Sequence, residues 1–567
     1  MIRERNKMKL SDYVAEYLVK HVDTVFCGNG GVVVHLLDSI GKRDDINLVP
    51  CQHEQSAAIA AEAYARIRGM GCAIATSGPG FVNMIQGIAC AYYDSIPVLY
   101  IVGGCPTNHQ RGNERQRGFQ EMDVLSMVKS ITKKSTKLEH GTHIKYILDS
   151  LILLAKEGRP GPVLIEIPDD LQRSEIEYLP SYDLRGYVDR ISIYDFHLKE
   201  FMEMIKSSKR PVAIIGGGVK IARAWLEMQK FLEVSYIPYV CTWATVDVID
   251  WFRSDGSIGI CGDTSANKIV QAADLIISFG CKLDTHQTGG DPSTFAPHAK
   301  KIMIDIDPAE LEKQNGLVVD LKICADVKAM LVLLLKEPEW SNIKMWQKEI
   351  DGIMMDNIVI FKPSGDFVDP YVFMDELQEK ADKDAIIITD TGNTLVWTMQ
   401  GFHPTGGQML FSDFNHSTMG YSIPAAIGVF YATRGERQII AIIGDGGFAM
   451  CSHELATIEL KQLPIKIFVM DNKGYGMVRQ TQDTWLGGRH TAIDTFSSLA
   501  APRIEQIAHA YKIRSQRIEH NGQLDSFSNK ISKVLEVDAP TICVVEIASY
   551  ETVRPKLKYG KHIGEIE

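Results

Sequence analysis

Short apolar runs rich in Val, Ile and Leu alternate with helix-length segments along most of the chain. The runs typical of buried strands are 25–26, 71–76, 97–102, 162–167, 211–218, 273–280, 301–307, 385–389, 439–443 and 465–470. Strands separated by helical segments are typical of parallel sheets that carry helices on both faces. We therefore predict an α/β fold made of doubly wound parallel-sheet domains.

Two stretches interrupt this alternation and predict linkers. Residues 168–192 are polar with few periodic apolar positions, and in residues 337–369 a charged helix gives way to a Lys-Pro-Ser-Gly turn. The linkers divide the chain into three domains at 1–178, 193–338 and 366–552. We expect the first and third domains to be related sheets.

Composition narrows the class of protein. Hydrophobic residues make up 45% and charged residues 23% of the 567 positions, as in soluble globular proteins, and the net charge of −11 argues against nucleic acid as a partner. The basic start is not followed by a signal-peptide core, and no segment reaches the length of a membrane span, so we expect a cytoplasmic protein without a membrane partner. Eleven cysteines without CxxC spacing argue against zinc clusters and a disulfide framework.

A candidate metal and diphosphate site lies in the last third of the chain. Gly444-Asp445-Gly446 follows the apolar run 439–443, and Asn472 follows the run 465–470. Glycines let a backbone approach a diphosphate, while a carboxylate and an amide oxygen suit Mg²⁺. The alternative is a turn in which the motif only caps a helix that begins near Cys451.

Glu54 is a second candidate functional residue, far away in sequence. It starts a strongly helical run, where the helix N-terminus favours a carboxylate, and that preference alone would explain it. A turn of sequence Thr76-Ser-Gly-Pro-Gly80 follows the next predicted strand.

Taken together, these motifs resemble the thiamine-diphosphate-dependent decarboxylases and carboligases over nearly the entire chain. The resemblance implies a pyrimidine-binding first domain, a central domain of the FAD type and a diphosphate-binding third domain. It implies that Glu54 hydrogen-bonds the aminopyrimidine ring and so promotes loss of the thiazolium C2 proton. Mg²⁺ would be held by Asp445, Asn472 and the carbonyl of Gly474, and Met419 would support the bent cofactor. Further cofactor contacts are implied at Gly444, Gly446, Gly447, Gly476 and Met477.

Within that family the chain is most similar to the acetolactate synthase group. The similarity rests on Gly28-Asn-Gly-Gly31, His53-Glu54-Gln55, Phe119-Gln120-Glu121 and Gly476-Met-Val-Arg-Gln480. It implies a reaction pocket lined by Gly31, Phe119, Gln120 and Thr481, with Gly31 and Gln120 as catalytic positions beside Glu54.

The same group binds FAD in its central domain. The matching positions here are Gly217, Gly218, Asp284, Asp305 and Asp326. Lys282 and Leu283 depart from the group's pattern, and a glycine-rich loop after a strand is also a common α/β turn. No redox-partner motif is present, so we expect FAD in a non-redox role.

The resemblance also predicts the reaction class. The adjacent histidines with which simple pyruvate decarboxylases protonate their intermediate are missing before Phe119, which favours carboligation. We expect pyruvate as the 2-keto acid donor and a carbonyl compound as the acceptor. The family places active sites between the first domain of one subunit and the third of another, which implies a homodimer or homotetramer.

Two departures bear on the acceptor. Thr481, next to Gln480, replaces a tryptophan of the acetolactate synthases, and Arg111, Arg115 and Arg117 precede Phe119 and would suit phosphate. They favour a large acceptor such as a nucleotide-linked keto-deoxysugar, as in the biosynthesis of branched-chain sugars such as yersiniose. For the arginines, the alternative is a solvated loop with Glu114 as an ion-pair partner.

Three alternative functions stay open. The first is an acetolactate synthase that uses pyruvate as its acceptor. The second is a non-catalytic binding or regulatory homologue, and the third is a flavin-dependent oxidase of pyruvate.

Overall fold

Three parallel sheets flanked by helices follow one another along the chain. The computed structural model describes residues 7–177, 195–248, 256–313, 315–337, 344–357, 366–520, 524–558 and 560–566. The sheets confirm the predicted α/β fold of three doubly wound domains.

The first domain is built on a parallel sheet. Its strands are β1 (Lys7–Lys9), β2 (Thr24–Cys27), β3 (Asn47–Pro50), β4 (Gly71–Ala75), β5 (Val98–Gly104), β6 (Lys134–Lys137), β7 (Val163–Pro168) and β8 (Glu175–Glu177). Its helices are α1 (Leu10–Val19), α2 (Val34–Gly41), α3 (Glu54–Arg68), α4 (Pro79–Tyr93), α5 (Val124–Val128), α6 (Ile144–Lys156) and α7 (Asp169–Gln172). The sheet order is β3-β2-β4-β5-β7-β6. The inner strands β2, β4, β5 and β7 are wholly buried, because helices cover both faces.

The central domain has a smaller parallel sheet. Its strands are β9 (Pro211–Ile215), β10 (Tyr239–Cys241), β11 (Leu275–Phe279), β12 (Lys300–Asp305) and β13 (Leu321–Cys324), in the order β10-β9-β11-β12-β13. Its helices are α8 (Asp195–Ser207), α9 (Gly217–Ile221), α10 (Trp225–Ser235), α11 (Thr264–Ala272), α12 (Thr285–Thr288), α13 (Pro308–Leu311) and α14 (Val327–Leu334). Helix α15 (Lys344–Asp356) follows.

The third domain repeats the topology of the first. Its strands are β14 (Ile386–Thr389), β15 (Met409–Phe411), β16 (Ile439–Gly444), β17 (Lys466–Asp471), β18 (Arg514–Ile518) and β19 (Thr541–Glu546). Its helices are α16 (Pro370–Lys380), α17 (Asn393–Gly401), α18 (Ser422–Thr433), α19 (Asp445–Cys451), α20 (Leu455–Leu460), α21 (Gly476–Leu486), α22 (Ile504–Ala510) and α23 (Leu524–Leu535). The order β15-β14-β16-β17-β19-β18 matches the first sheet strand for strand, as expected for related domains.

The predicted linkers carry structure. In the first, α7 and β8 are ordered, and β8 pairs antiparallel with β1, so the linker prediction is wrong for these residues. Residues 178–192 of that linker lie outside the described residues. In the second, α15 packs on the central domain, where the buried Trp346 indole donates to the Pro211 carbonyl at 3.1 Å. Its flanks, 338–343 and 358–365, lie outside the described residues, and the domain boundaries stay predictions.

The first and third domains pack against each other through α3 and α18. Gly428 of α18 lies so close to α3 that a Cβ there would come within 2.1 Å of the Ala60 carbonyl oxygen. Small residues are needed at this crossing because the two helix backbones nearly touch. All eleven cysteines are free thiols, and Cys324 alone is exposed. In the described part of the chain, no helix is long and apolar enough to cross a membrane.

Candidate active site

The Gly-Asp-Gly motif lies where β16 ends and α19 begins. The helix starts at Asp445 itself, so the alternative of a helix that begins near Cys451 is wrong. Oδ1 of Asp445 accepts from the Gly446 amide at 2.8 Å, whereas its buried Oδ2 has no hydrogen-bond partner. Burial, followed by repulsion from Asp471, raises the pKa of Asp445 to about 7. A buried carboxylate oxygen without a donor fits a bound cation.

The other predicted metal and diphosphate residues surround Asp445. Asn472 follows β17, the neighbour of β16 in the sheet, and is buried. A Cβ at Gly476 would lie 2.5 Å from the Asn472 amide nitrogen. Gly474 has φ of 154°, where a side chain would be strained. A Cβ at Gly446 would lie 3.1 Å from the terminal methyl carbon of Met419. Close neighbours and backbone conformation therefore require glycine at these positions.

Two buried residues of the third domain, Asp390 and Asn393, were not predicted from the sequence. Asp390 accepts from the amides of Gly420 and Ser422, both at 3.1 Å, and burial raises its pKa to about 6. Asn393 presents a buried Oδ1 without a hydrogen-bond partner. Both follow β14 in the sequence Asp-Thr-Gly-Asn, and this strand-end position was the signal that could have revealed them.

Glu54 is the first residue of α3, in the first domain. His53 caps the helix through Nδ1, which accepts from the Gln55 amide at 3.2 Å. Asn83 of α4 donates to Glu54 Oε2 at 2.9 Å. Gly28 and Gly80 leave room for the carboxyl group, because a Cβ at these positions would come within 2.8 and 3.1 Å of Oε1. Asn83 was also missed from the sequence, since nothing local connects it with Glu54.

The predicted reaction-pocket residues lie on open backbone. A Cβ at Gly31 would meet nothing within 4 Å. Gln120 has a positive φ of 58° and packs against Gly78, at the start of α4. The Phe119 side chain is 86% exposed. Thr481 is also exposed, and the pocket that these residues would line stays a prediction.

The candidate site has two parts in one chain, a half-site around Glu54 in the first domain and a half-site around Asp445 in the third domain. Among the described residues, no hydrogen bond or ion pair connects Glu54 with Asp445 or Asn472. An indirect link runs through the buried Glu454, which follows α19. Its Oε1 accepts from the amides of Gln52 and His53 at 2.9 and 3.1 Å, directly before Glu54.

The chain matches families of known proteins. Three domain families of the thiamine pyrophosphate enzymes match: the N-terminal TPP binding domain at 8–127, the central domain at 198–334 and the C-terminal TPP binding domain at 390–545. The chain belongs to the thiamine pyrophosphate enzymes. It is therefore a thiamine-diphosphate-dependent enzyme of the decarboxylase and carboligase class.

Full-length relatives of this thiamine pyrophosphate enzyme are acetolactate synthases. The isozyme 2 large subunit of Escherichia coli K12 is 32% identical over 552 residues, which cover 96% of both chains. A probable large subunit of Methanocaldococcus jannaschii is 34% identical over 578 residues, covering 97% of this chain and 94% of the relative. The large subunit of Lactococcus lactis is 31% identical over 553 residues, covering 96% and 93%. The resemblance to the acetolactate synthase group is thereby confirmed.

The arginines before Phe119, namely Arg111, Arg115 and Arg117, lie in an exposed loop of the enzyme. Arg117 pairs with Glu114, and Arg111 pairs with Asp123 at 3.2 Å. Glu121 accepts from the backbone amides of Arg111 and Arg117 and so closes the loop on itself. Two of the three guanidinium groups therefore have carboxylate partners within the chain. This is the solvated, ion-paired arrangement of the alternative interpretation.

Gln480, beside Thr481 on α21, holds the C-terminal segment. Its amide group exchanges two hydrogen bonds, each of 3.4 Å, with the backbone of Val553. Thr481 turns its hydroxyl back to the Met477 carbonyl at 2.9 Å.

All five predicted FAD positions of the enzyme line one cavity of about 800 Å³ between the domains. They are Gly217, Gly218, Asp284, Asp305 and Asp326. Lys282, which departs from the group's pattern, pairs with Asp284 at 2.8 Å. Thr242 and Trp243 also line the cavity, each with a buried polar atom that has no hydrogen-bond partner. The cavity thus has the size and the unused polar groups of a site for an extended ligand.

Proposed function

We propose that the protein joins an acetyl unit from pyruvate to the carbonyl group of a second small 2-keto acid, as an acetolactate synthase. The observation that carries this proposal is the full-length similarity to acetolactate synthases together with the unpartnered buried Oδ2 of Asp445 in a glycine-lined strand end. Thiamine diphosphate, when bound, supplies the nucleophilic carbon and the electron sink that decarboxylation of a 2-keto acid requires.

Some of the site residues would hold the cofactor and its metal ion, and Glu54 would activate the cofactor. Asp445, Asn472 and the carbonyl of Gly474 would hold Mg²⁺ against the diphosphate, and Met419 would fill the space beside Gly446. Glu54 would offer Oε1 to the aminopyrimidine ring of the cofactor, because its other oxygen already accepts from Asn83.

A keto-sugar acceptor, the main expectation from the sequence, has less support than a keto acid. The relatives named above are acetolactate synthases, and Arg111 and Arg117 form ion pairs with neighbouring carboxylates. Thr481 remains the observation in favour of a larger acceptor.

One experiment separates the two acceptors. The purified enzyme, loaded with thiamine diphosphate and Mg²⁺, is incubated with pyruvate alone, and the products are identified by mass spectrometry. We expect steady formation of acetolactate. Pyruvate consumption that begins only when a nucleotide-linked keto-sugar is added would refute the keto-acid acceptor.

We also propose that FAD occupies the central cavity in a non-redox role. The support is the lining of one cavity by all five predicted positions and by the unpartnered polar atoms of Thr242 and Trp243. The absorption spectrum of the purified protein tests this, with a flavin spectrum that persists when pyruvate is added under anaerobic conditions. Bleaching on addition of pyruvate would instead indicate the flavin-dependent oxidase.

We further propose that the active enzyme is a homodimer, or a tetramer built from such dimers. The support is that no hydrogen bond or ion pair joins Glu54 with Asp445 or Asn472 among the described residues, and that Phe119 is exposed. Sedimentation of the loaded enzyme tests it. Full activity in a species of monomer mass would refute it.

A further inference from the structure

One face of α4 carries a row of polar side chains that touch both half-sites. Asn83, Gln86, Cys90 and Asp94 follow one another at intervals of three or four residues, which places them on the same side of the helix and its C-terminal end. A helix of mainly apolar composition, buried between two domains, would favour apolar residues at these positions. Polar side chains at these positions need hydrogen-bond partners, and each of the four residues has one.

At one end of the row, Asn83 contacts the residue that activates the cofactor. Its amide donates to Glu54 Oε2 at 2.9 Å. The bond fixes one carboxylate oxygen and leaves Oε1 facing Gly28 and Gly80.

The rest of the row contacts the third domain, in the loop from Asp413 to Thr418 that leads directly to Met419. Gln86 donates to the Thr418 hydroxyl at 2.8 Å. Cys90 Sγ lies 3.1 Å from Asp413 Oδ2, and Asp413 in turn accepts from the Thr418 amide at 3.0 Å. Cys90, Asp413 and Thr418 are all buried, so these bonds are sheltered from water.

Asp94 completes the row just after the helix ends. It accepts from the backbone amides of Phe414 and Asn415, each at 3.1 Å. Arg66 of α3, itself paired with Glu62, holds Asp94 at 2.6 Å. The loop before Met419 is thus tied to the first domain at both of its ends.

We propose that α4 is a positioning element for cofactor binding, whose polar face orients Glu54 through Asn83 and sets the loop that carries Met419 through Gln86, Cys90 and Asp94. The proposal rests on the proposed function, because Glu54 and Met419 are cofactor residues only in a thiamine diphosphate enzyme. It assigns separate tasks to the two ends of one helix. A loop that is ordered before the cofactor arrives costs less free energy to order on binding, so the Gln86 end governs affinity.

Two single substitutions test the two ends separately. Gln86→Leu removes the bond to Thr418 at similar volume, and Asn83→Ala frees Glu54. Two measurements are made on the full-length protein: titration of cofactor-free protein with thiamine diphosphate and Mg²⁺ by tryptophan fluorescence, and the exchange of the cofactor C2 proton at saturation. Tyr92→Phe, on the opposite face of α4, serves as the control and is expected to match the wild type.

The expected result is a split between the two variants. Gln86→Leu raises the Kd for thiamine diphosphate about five-fold, the effect of losing one hydrogen bond, with an unchanged exchange rate. Asn83→Ala lowers the exchange rate by about ten-fold with an unchanged Kd. Equal effects of both variants on both quantities, or a lower melting temperature with wild-type Kd and exchange, would overturn the inference. Failure of the wild type to bind thiamine diphosphate would overturn the proposed function instead.

Discussion

Replacement of Gly28 by alanine should separate the position of Glu54 from its chemistry. The new Cβ would lie 2.3 Å from Glu54 Cγ and 2.8 Å from Oε1. Non-bonded carbon atoms prefer a separation of at least about 3.5 Å, so the Glu54 side chain must move by about 1 Å. Gly28 has no positive φ, and the backbone itself accepts a side chain without strain. The displacement of Glu54 is therefore the main consequence of the substitution.

A shift of about 1 Å in a catalytic group typically costs about 100-fold in rate. We expect Gly28→Ala to slow exchange of the cofactor C2 proton by about that factor, with little change in the Kd for thiamine diphosphate. Proton NMR of the acid-quenched cofactor measures the exchange. Gly290→Ala is the matched control, because a Cβ there meets nothing within 4 Å. Exchange within two-fold of the wild type in Gly28→Ala would refute the assignment of Glu54 as the activating carboxylate.

Three further predictions concern the anchor, a buried carboxyl group and the domain contact. Asp445→Asn should raise the Kd for Mg²⁺ by more than about ten-fold, measured by calorimetry in the presence of thiamine diphosphate; an unchanged Kd would exclude Asp445 as a ligand. Burial raises the pKa of Asp413 to about 8 from 3.8. The folded state therefore keeps a proton that the unfolded chain releases, and this stabilisation is lost as the pH rises from about 4 to 8. The melting temperature of the wild type should fall relative to that of Asp413→Asn over this range, and parallel curves would contradict the shift. Gly428→Ala should lower the free energy of unfolding by about 1–3 kcal/mol in urea, because its Cβ would lie 2.1 Å from the Ala60 carbonyl oxygen. Gly352→Ala, where a Cβ meets nothing within 4 Å, is the control and should not be destabilised. Equal unfolding midpoints of the two variants would contradict the close crossing.

The strands of the sheets could be predicted because their signal is local. The run 71–76 became β4 (Gly71–Ala75), and the run 439–443 became most of β16, since a strand covered on both faces must be apolar at successive positions. Strand β8 was missed for the opposite reason. It pairs with β1 at an exposed edge, where Lys7 lies opposite Glu177 and only Ile176 is buried.

The candidate site was predictable to the extent that its residues form compact motifs. Asp445 and Asn472 stand at adjacent strand ends, which the two apolar runs fix. Asn83 and Glu454 carry no such signal, because each acts through a partner that is distant in sequence. The hydrogen bonds of Glu454 to Gln52 and His53, for example, cross about four hundred positions and depend on how α3 and α19 meet in space.

The shared strand order of the first and third domains bears on why one chain holds two half-sites. In the sheets of both domains, the strand that is third in spatial order leads into a glycine-rich turn. This turn is Thr76-Ser-Gly-Pro-Gly80 after β4 and Gly444-Asp-Gly-Gly447 at the end of β16. The first turn lies beside Glu54, and the second carries Asp445. Ligands of doubly wound sheets bind at such carboxyl ends, so in the site that we propose equivalent edges would hold the two ends of one cofactor. The closest approach of the two domains is the crossing of α3 and α18, where a Cβ at Gly428 would lie 2.1 Å from the Ala60 carbonyl oxygen. In the homodimer that we propose, two-fold symmetry would complete both active sites at once.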